Sequence, residues 1–314
     1  MHDQRGARAD PSGAVFVVGE ALVDVAVGLD GVTRRMPGGS PMNVAFGTAR
    51  LGLPTTLLTA FGDDDDGRLI AEHLDAAGVE LAPGSVTPGA STSTALARLA
   101  DDGSATYEFD LHWDIPAGAR VPDSAIAVHT GSVAAAIEPG ASHVLELFAR
   151  AGAGILRSFD PNVRPAITSD RAETLQRVER FARNAHILKL SAEDADWLLA
   201  GASEDDVAEW GLSLGARLVA LTRGADGCVL TTPRHRVEQK GTPTRVVDTI
   251  GAGDAFMSAL IAGVARWRLV EALISGELPE ERTSALATLA QRAAVMTVAR
   301  AGAQPPTWES VLRD

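Results

Sequence analysis

Apolar positions along the chain follow two alternating periods. Short runs rich in valine, isoleucine and leucine read as buried strands: Ala14–Val27, Thr55–Phe61, Ala125–His129, Ile155–Asp160, His186–Leu190 and Leu218–Thr222. The first is interrupted by Gly19-Glu20 and ends near Asp24. Between these runs, spacings of three and four predict helices over Ser40–Leu51, Asp66–Ala77, Ser142–Ala151, Ala172–Ala185, Ala192–Leu199 and Val207–Leu214. Ser40 reads as an N-cap with Pro41 at the first helical position, and Gly52 and Gly78 close their helices. Such alternation predicts a parallel sheet covered by helices. The pattern breaks between Ser91 and Ile115, where Thr92–Leu99, the turn Asp101-Asp102-Gly103-Ser104 and Thr106–Leu111 read as a hairpin with no helix to cover it. Together with Val27–Arg35 it is expected to form a small lid, from segments about 27–37 and 91–116. Cys228–Thr231, Arg236–Gln239 and Arg245–Asp248 look like short antiparallel strands, followed by helices near Ala252–Arg266 and Ser284–Ala301. The expectation is one α/β domain over 14–314, a lid, and a disordered tail over 1–13.

Composition narrows the function. A net charge of −13 argues against a nucleic-acid or anionic-membrane partner, because phosphate backbones need Lys and Arg. It leaves room for a small phosphorylated ligand held by backbone donors. The single cysteine, Cys228, allows no internal disulfide and fits a cytoplasmic setting, and it lies in an apolar strand where a thiol is inert. No apolar run is long enough for a membrane span, and MHDQRGARADPSG lacks the apolar core of a signal peptide. The seven histidines show no metal-ligand spacing, and neither GxxxxGK[ST] nor an N-terminal GxGxxG is present.

What chemistry remains gathers at strand ends, where open α/β sheets bind ligands. In VVDTIGAGDAF (Val246–Phe256) a β-branched run, the turn Gly251-Ala252-Gly253 and a helix start place open N–H donors beside the carboxylate Asp254. That suits phosphate chemistry with a positioned base; a plain tight turn with an acid in the first helical turn is the alternative. In Gly38-Gly39-Ser40-Pro41-Met42-Asn43 a glycine pair precedes a helix that carries an amide, a group suited to sugar hydroxyls or simply exposed. Thr222-Arg223-Gly224-Ala225-Asp226-Gly227 reads as a nucleotide-binding edge or a hairpin turn. Asp160-Pro161-Asn162-Val163-Arg164 puts an acid and an arginine on one rigid loop, for a ligand or for a structural ion pair.

Taken together, GGSPMNVAFGTARLG (Gly38–Gly52) and DTIGAGDAF (Asp248–Phe256) resemble the two signatures of the ribokinase-like (PfkB) carbohydrate kinases. GEALVD (Gly19–Asp24), FGDDDDG (Phe61–Gly67), DPNVRP (Asp160–Pro165), TRGADG (Thr222–Gly227) and RAGAQP (Arg300–Pro305) fall in the family's order. The resemblance implies a ribokinase-like α/β fold, an open, mostly parallel sheet flanked by helices with a small β-sheet lid. It implies transfer of the γ-phosphate of ATP to a sugar hydroxyl. By position, Asp254 corresponds to the base and Gly251, Ala252 and Gly253 to the anion hole. Asp24, Gly38, Gly39 and Asn43 match sugar-binding positions, and Ser191, Thr222, Gly224 and Gly227 match the nucleotide side. Mg²⁺ would arrive with ATP, and K⁺ is expected near Asp248 and Ile250. The family's Asn-x-x-Glu is replaced here by Ser191-Ala192-Glu193-Asp194, which leaves Ser191 and Asp194, or Glu193, to serve Mg²⁺ through water.

GEALVD, GGSPMNVAFG and DPNVRP look most like fructokinases. The segment Ser104–Ile115 carries Glu108, Asp110 and Asp114 and no Lys or Arg, which would repel a sugar acid. Arg98 and Arg164 stand as carboxylate partners if the substrate is acidic. A neutral ketohexose is favoured over 2-keto-3-deoxygluconate, ribose or a nucleoside. A non-catalytic sugar- or nucleotide-binding relative is opposed by the intact Gly251, Gly253 and Asp254. Tyr107, Phe109 and Trp113 either cover the sugar or pack the hairpin. A homodimer paired through the lid is expected.

Overall fold

A computed structural model of the chain describes residues 13–28, 32–99 and 105–313, without the side chains of 97–99 and 105–107. The expected tail over 1–13 therefore lies almost wholly outside the described residues.

Chain order begins with β1 (Ala14–Val18), β2 (Leu22–Val27), β3 (Thr33–Gly38), α1 (Ser40–Arg50), β4 (Thr55–Leu58), β5 (Phe61–Gly62), α2 (Asp65–Asp75), β6 (Val79–Leu81) and β7 (Val86–Thr87). The hairpin is β8 (Thr94–Leu99) and β9 (Ala105–Asp110). Then come β10 (Ala125–Gly131), α3 (Gly140–Ala149), β11 (Leu156–Asp160), α4 (Arg171–Ala182), β12 (Ile187–Ser191), α5 (Ala192–Leu198) and α6 (Glu204–Ser213). The chain closes with β13 (Leu218–Thr222), β14 (Gly227–Thr231), β15 (Arg236–Lys240), α7 (Ala252–Arg266), α8 (Val270–Ile274), α9 (Glu280–Val298) and α10 (Trp308–Leu312).

The main sheet has nine strands in the order β15-β14-β13-β12-β11-β10-β1-β4-β6, parallel from β6 to β13 with β14 and β15 antiparallel at one edge. Its strands are apolar on both faces, as a covered parallel sheet requires. Val15, Val17, Ala127, Leu156 and Ile187 pack toward α1, α7 and α9. Phe16, Val18, Val128, Phe159 and Leu188 alternate with them and pack toward α3, α4 and α6.

The first long strand is in fact two. The turn at Gly19–Ala21 sends β2 out of the main sheet into a four-stranded one of order β3-β2-β8-β9, so Asp24 sits inside a strand of the small sheet and not at a main-sheet end. Two contacts cause the turn. A side chain at Gly19 would meet Pro41, and the carboxylate of Glu20 is buried, accepting the Ala134 N–H at 2.9 Å. The small sheet is tied back by Arg35 of β3, which pairs with Asp66 of α2. Arg245–Asp248 forms no strand. β15 is already the sheet edge, and Val246 and Val247 stay exposed while the N–H groups of Val247 and Asp248 donate to the Val298 carbonyl. Ser40 is not an N-cap either: Gly39 takes that position at φ 109°, which frees the serine side chain for another partner.

Candidate functional site

α7 begins at Gly251, whose φ of 75° is left-handed and whose missing Cβ would lie 2.5 Å from that of Ala303. Only glycine fits a turn so placed. The first regular helical bond runs from Ala255 N–H to the Gly251 carbonyl, and Ala252 N–H reaches back to Thr249. The N–H groups of Gly253 and Asp254 are left without an acceptor among the described residues. Two aligned donors at the positive end of a fifteen-residue helix make a site for an anion.

Asp254 is 8% exposed and its two oxygens are bonded from α1. Ser40 Oγ donates to Oδ1 at 2.6 Å and Asn43 Nδ2 donates to Oδ2 at 2.8 Å. Burial pushes the Asp254 pKa up; the Ser40 and Asn43 bonds, then Lys189 and Arg164, pull against it. Ser40 was absent from the site expected from sequence, because serine before proline at a helix start reads first as a cap. Asn43, expected on the sugar, is already bonded to the carboxylate.

Asp24 lies beside α1's start. A side chain at Gly38 would sit 2.1 Å from Asp24 Oδ2, and one at Gly39 would sit 2.6 Å from the Glu20 carbonyl, so both glycines make room for that carboxylate and its strand. Burial raises the Asp24 pKa to about 6 and the charge of Arg164 opposes the rise. Arg164 thus joins Asp24 and Asp254 electrostatically while its guanidinium stays exposed. The β8 backbone carries Arg98, but its side chain, like that of Tyr107, lies outside the described residues. Trp113 is buried in the main-sheet core and donates its indole N–H to the Ala134 carbonyl at 3.2 Å, so it packs neither on the hairpin nor over the candidate site. Asp114 pairs with His143 at 2.6 Å, away from the site.

The residues expected on the nucleotide side lie at the ends of β12 and β13, where Ser191 is paired with Thr222, and in the turn that follows β13. Gly224 (φ 55°) and Gly227 (φ 104°) shape the short turn into β14. Ser191 caps α5 in a reciprocal box with Asp194, each backbone N–H going to the other's side chain at 3.0 Å. The second Asp194 oxygen accepts the Val163 N–H at 2.8 Å, which clamps the loop that carries Arg164. Asp248 likewise accepts two backbone N–H groups, from Ile250 at 3.0 Å and from Gly302 at 2.8 Å. Among the described residues no three His, Cys, Asp or Glu side chains group in a way that could hold a metal ion, and no helix is long and apolar enough to cross a membrane.

Nothing in the sequence marks Lys189 as a site residue, because a lone lysine in an apolar strand belongs to no motif. It is buried and bonds Asp160 Oδ2 at 2.6 Å. A cavity of about 290 Å³ opens beside Arg164, between the turn at 132–136, the loop at 161–170 and α4; neither Asp254 nor Asn43 lines it.

With this geometry in hand, the chain matches the family described as "pfkB family carbohydrate kinase" over residues 15–310. It is 33% identical over 263 residues to a fructokinase of Rhizobium leguminosarum bv. trifolii, covering 80% of this chain and 79% of that protein. Among solved structures, a fructokinase from Xylella fastidiosa with bound ATP superposes with a TM-score of 0.82 at 24% identity, over 96% of this chain and 97% of that one. A fructokinase from Vibrio cholerae O395, in its fructose, ADP and calcium ion bound form, superposes with a TM-score of 0.79 at 24% identity, over 96% and 98% of the two chains.

Proposed function

Because the chain belongs to the pfkB family of carbohydrate kinases, and is on that ground an ATP-dependent sugar phosphotransferase, we propose that its acceptor is fructose and its general base is Asp254. The observation that carries this reading is the meeting of a buried, doubly bonded carboxylate with the two open amides that start α7. Phosphoryl transfer asks for in-line positioning and preorganised charge more than for covalent help. Asp254 takes the proton of the attacking hydroxyl. The N–H groups of Gly253 and Asp254 face the charge that grows on the phosphoryl oxygens, and Gly251 sets the turn that aims them. Ser40 and Asn43 hold the carboxylate in one rotamer, with both of its oxygens bonded.

The sugar is proposed to lie between Asp24, Gly39, Asn43 and Arg164. Arg164 already faces Asp24, so the pair presents a balanced charge, which suits hydroxyls better than a carboxylate. The relatives named fructokinase point the same way. ATP is proposed to lie along Ser191, Thr222, Gly224 and Gly227, and the small sheet to close over the sugar as a lid. Mg²⁺, supplied with ATP, would neutralise phosphate charge. Asp194 fits it only through water, since both its oxygens accept backbone N–H groups. Asp248 is tied in the same way, so a K⁺ site there would be built mainly from backbone carbonyls of the turn that holds Ile250.

Assaying ATP-dependent phosphorylation of fructose, ribose, 2-keto-3-deoxygluconate and nucleosides side by side tests the acceptor. Fructose is expected to have the highest kcat/KM. Turnover confined to the sugar acid would overturn the neutral-sugar assignment.

A further inference from the structure

Beneath the start of α7, three buried polar side chains cross the main sheet: His129 on β10, Asp160 on β11 and Lys189 on β12. His129 Nδ1 meets Ser158 Oγ at 3.0 Å, and Lys189 Nζ meets Asp160 Oδ2 at 2.6 Å. His129 Nε2 and Asp160 Oδ1 are buried without a partner. The neighbours of Lys189 in β12, Ile187, Leu188 and Leu190, are apolar and fully buried. An ion pair in such a place is a weak device for stability, since apolar side chains of similar volume do as well or better. Its placement has a different consequence. A Cβ at Gly253 would lie 3.3 Å from Lys189 Nζ, so the ammonium sits close against the backbone of the residue that carries one of the two open amides.

We propose that Lys189 is a positioning residue of the phosphoryl-transfer site: its ammonium, pinned by Asp160 beside Gly253, holds the negative charge on Asp254 and adds positive potential at the anion hole. The inference rests on Asp254 being the base. Other groups act on that carboxylate from each neighbouring element. Ser40 and Asn43 donate to it from α1, Arg164 reaches it from the loop after β11, and Asp160 faces Lys189 from β11 with Asp194 of α5 behind. His129, held neutral by burial and by Lys189, adds no charge from β10. The stretch of α9 nearest the turn, residues 293–298, has no ionisable side chain. Ser40 and Asn43 contribute bonds; Lys189 is the nearby cation that no solvent screens. Burial works against its own charge, and Asp160, Asp194 and Asp254 overcome that and raise its pKa.

The test is the pH profile of kcat at saturating fructose and MgATP, for the full chain and for Lys189→Met, Asp160→Asn and Asp254→Asn. Lys189→Met is expected to lower kcat by about 10- to 100-fold and to move the acidic limb upward by about one pH unit. Asp160→Asn keeps Lys189, still faced by Asp194 and Asp254, and removes a negative charge, so its limb does not move upward. A role in packing alone would lower kcat in both variants and displace neither limb, and that result would overturn the proposal. Should Lys189→Met fail to fold around an unpaired Asp160, the double variant Lys189→Met/Asp160→Asn removes both charges, and its acidic limb must lie above that of Asp160→Asn. An inactive Asp254→Asn with a parental Lys189→Met removes only the role of Lys189, whereas an active Asp254→Asn removes the base itself.

Discussion

Asp254 illustrates how a buried carboxylate is kept useful as a base. Desolvation pushes its pKa up, and two donors from α1 offset part of that rise. Ser40→Ala removes the 2.6 Å bond and is expected to lower kcat about tenfold while shifting the acidic limb upward; a pH–rate series on the purified variant measures both. Asp24 makes a second, separable prediction. Its pKa of about 6 means that it loses its charge as the pH falls through that value, and a protonated carboxyl accepts hydroxyl hydrogen bonds poorly. The KM for fructose should therefore rise below pH 6, and Asp24→Asn should abolish that rise while raising KM throughout; initial rates between pH 5 and 8 decide it. Asn43 and Asp254 were legible as candidates because glycines and a helix start flank them, whereas Asp24 was legible as a sugar-binding residue only through the resemblance to the family. Ser40 and Lys189 were not, since a serine before proline and a lysine within a strand each have a commoner structural reading.

At the scale of elements, α7 depends on one turn. Gly251→Ala would force a left-handed residue, at about 1–2 kcal/mol, and press a methyl group against Ala303. Thermal melting should show the loss of stability, and activity should fall further than stability because the open amides are re-aimed. Glu20 holds the turn between β1 and β2, and its pKa lies at about 7 instead of 4.5. Burial is the main cause, with the Glu20, Ala134 and Val133 backbones and Ser132 opposing it. The raised value fixes the sign. Its contribution to stability is fully present below pH 4.5 and is lost as pH rises through about 7. Glu20→Gln should flatten the fall in Tm between those values, which melts across the range will reveal. Periodicity made the strand–helix alternation legible, since each strand and helix buries a face against a neighbour. It could not show that β2 leaves the main sheet, because valines alternate equally well in either sheet. Nor could it exclude a strand at Arg245–Asp248, where the N–H groups of Val247 and Asp248 go to the Val298 carbonyl and not to a strand.

Over the whole molecule, a main sheet supplies the catalytic floor and a small sheet stands beside its strand ends. Among the described residues the small sheet ends in β3 and β9. Edges of that kind pair readily, and we expect two copies to associate through them. Light scattering on the purified chain should give the mass of a dimer, and a proline placed in β9 should reduce it to that of a monomer. The central claim is that α1 and α7, distant in sequence, meet to make one base beside one anion site. Its most direct test is Asp254→Asn, assayed for fructose phosphorylation and for fructose and ATP binding by calorimetry. Retained binding with kcat lowered by at least about 10³-fold is the predicted result; turnover within tenfold of the parent would contradict it.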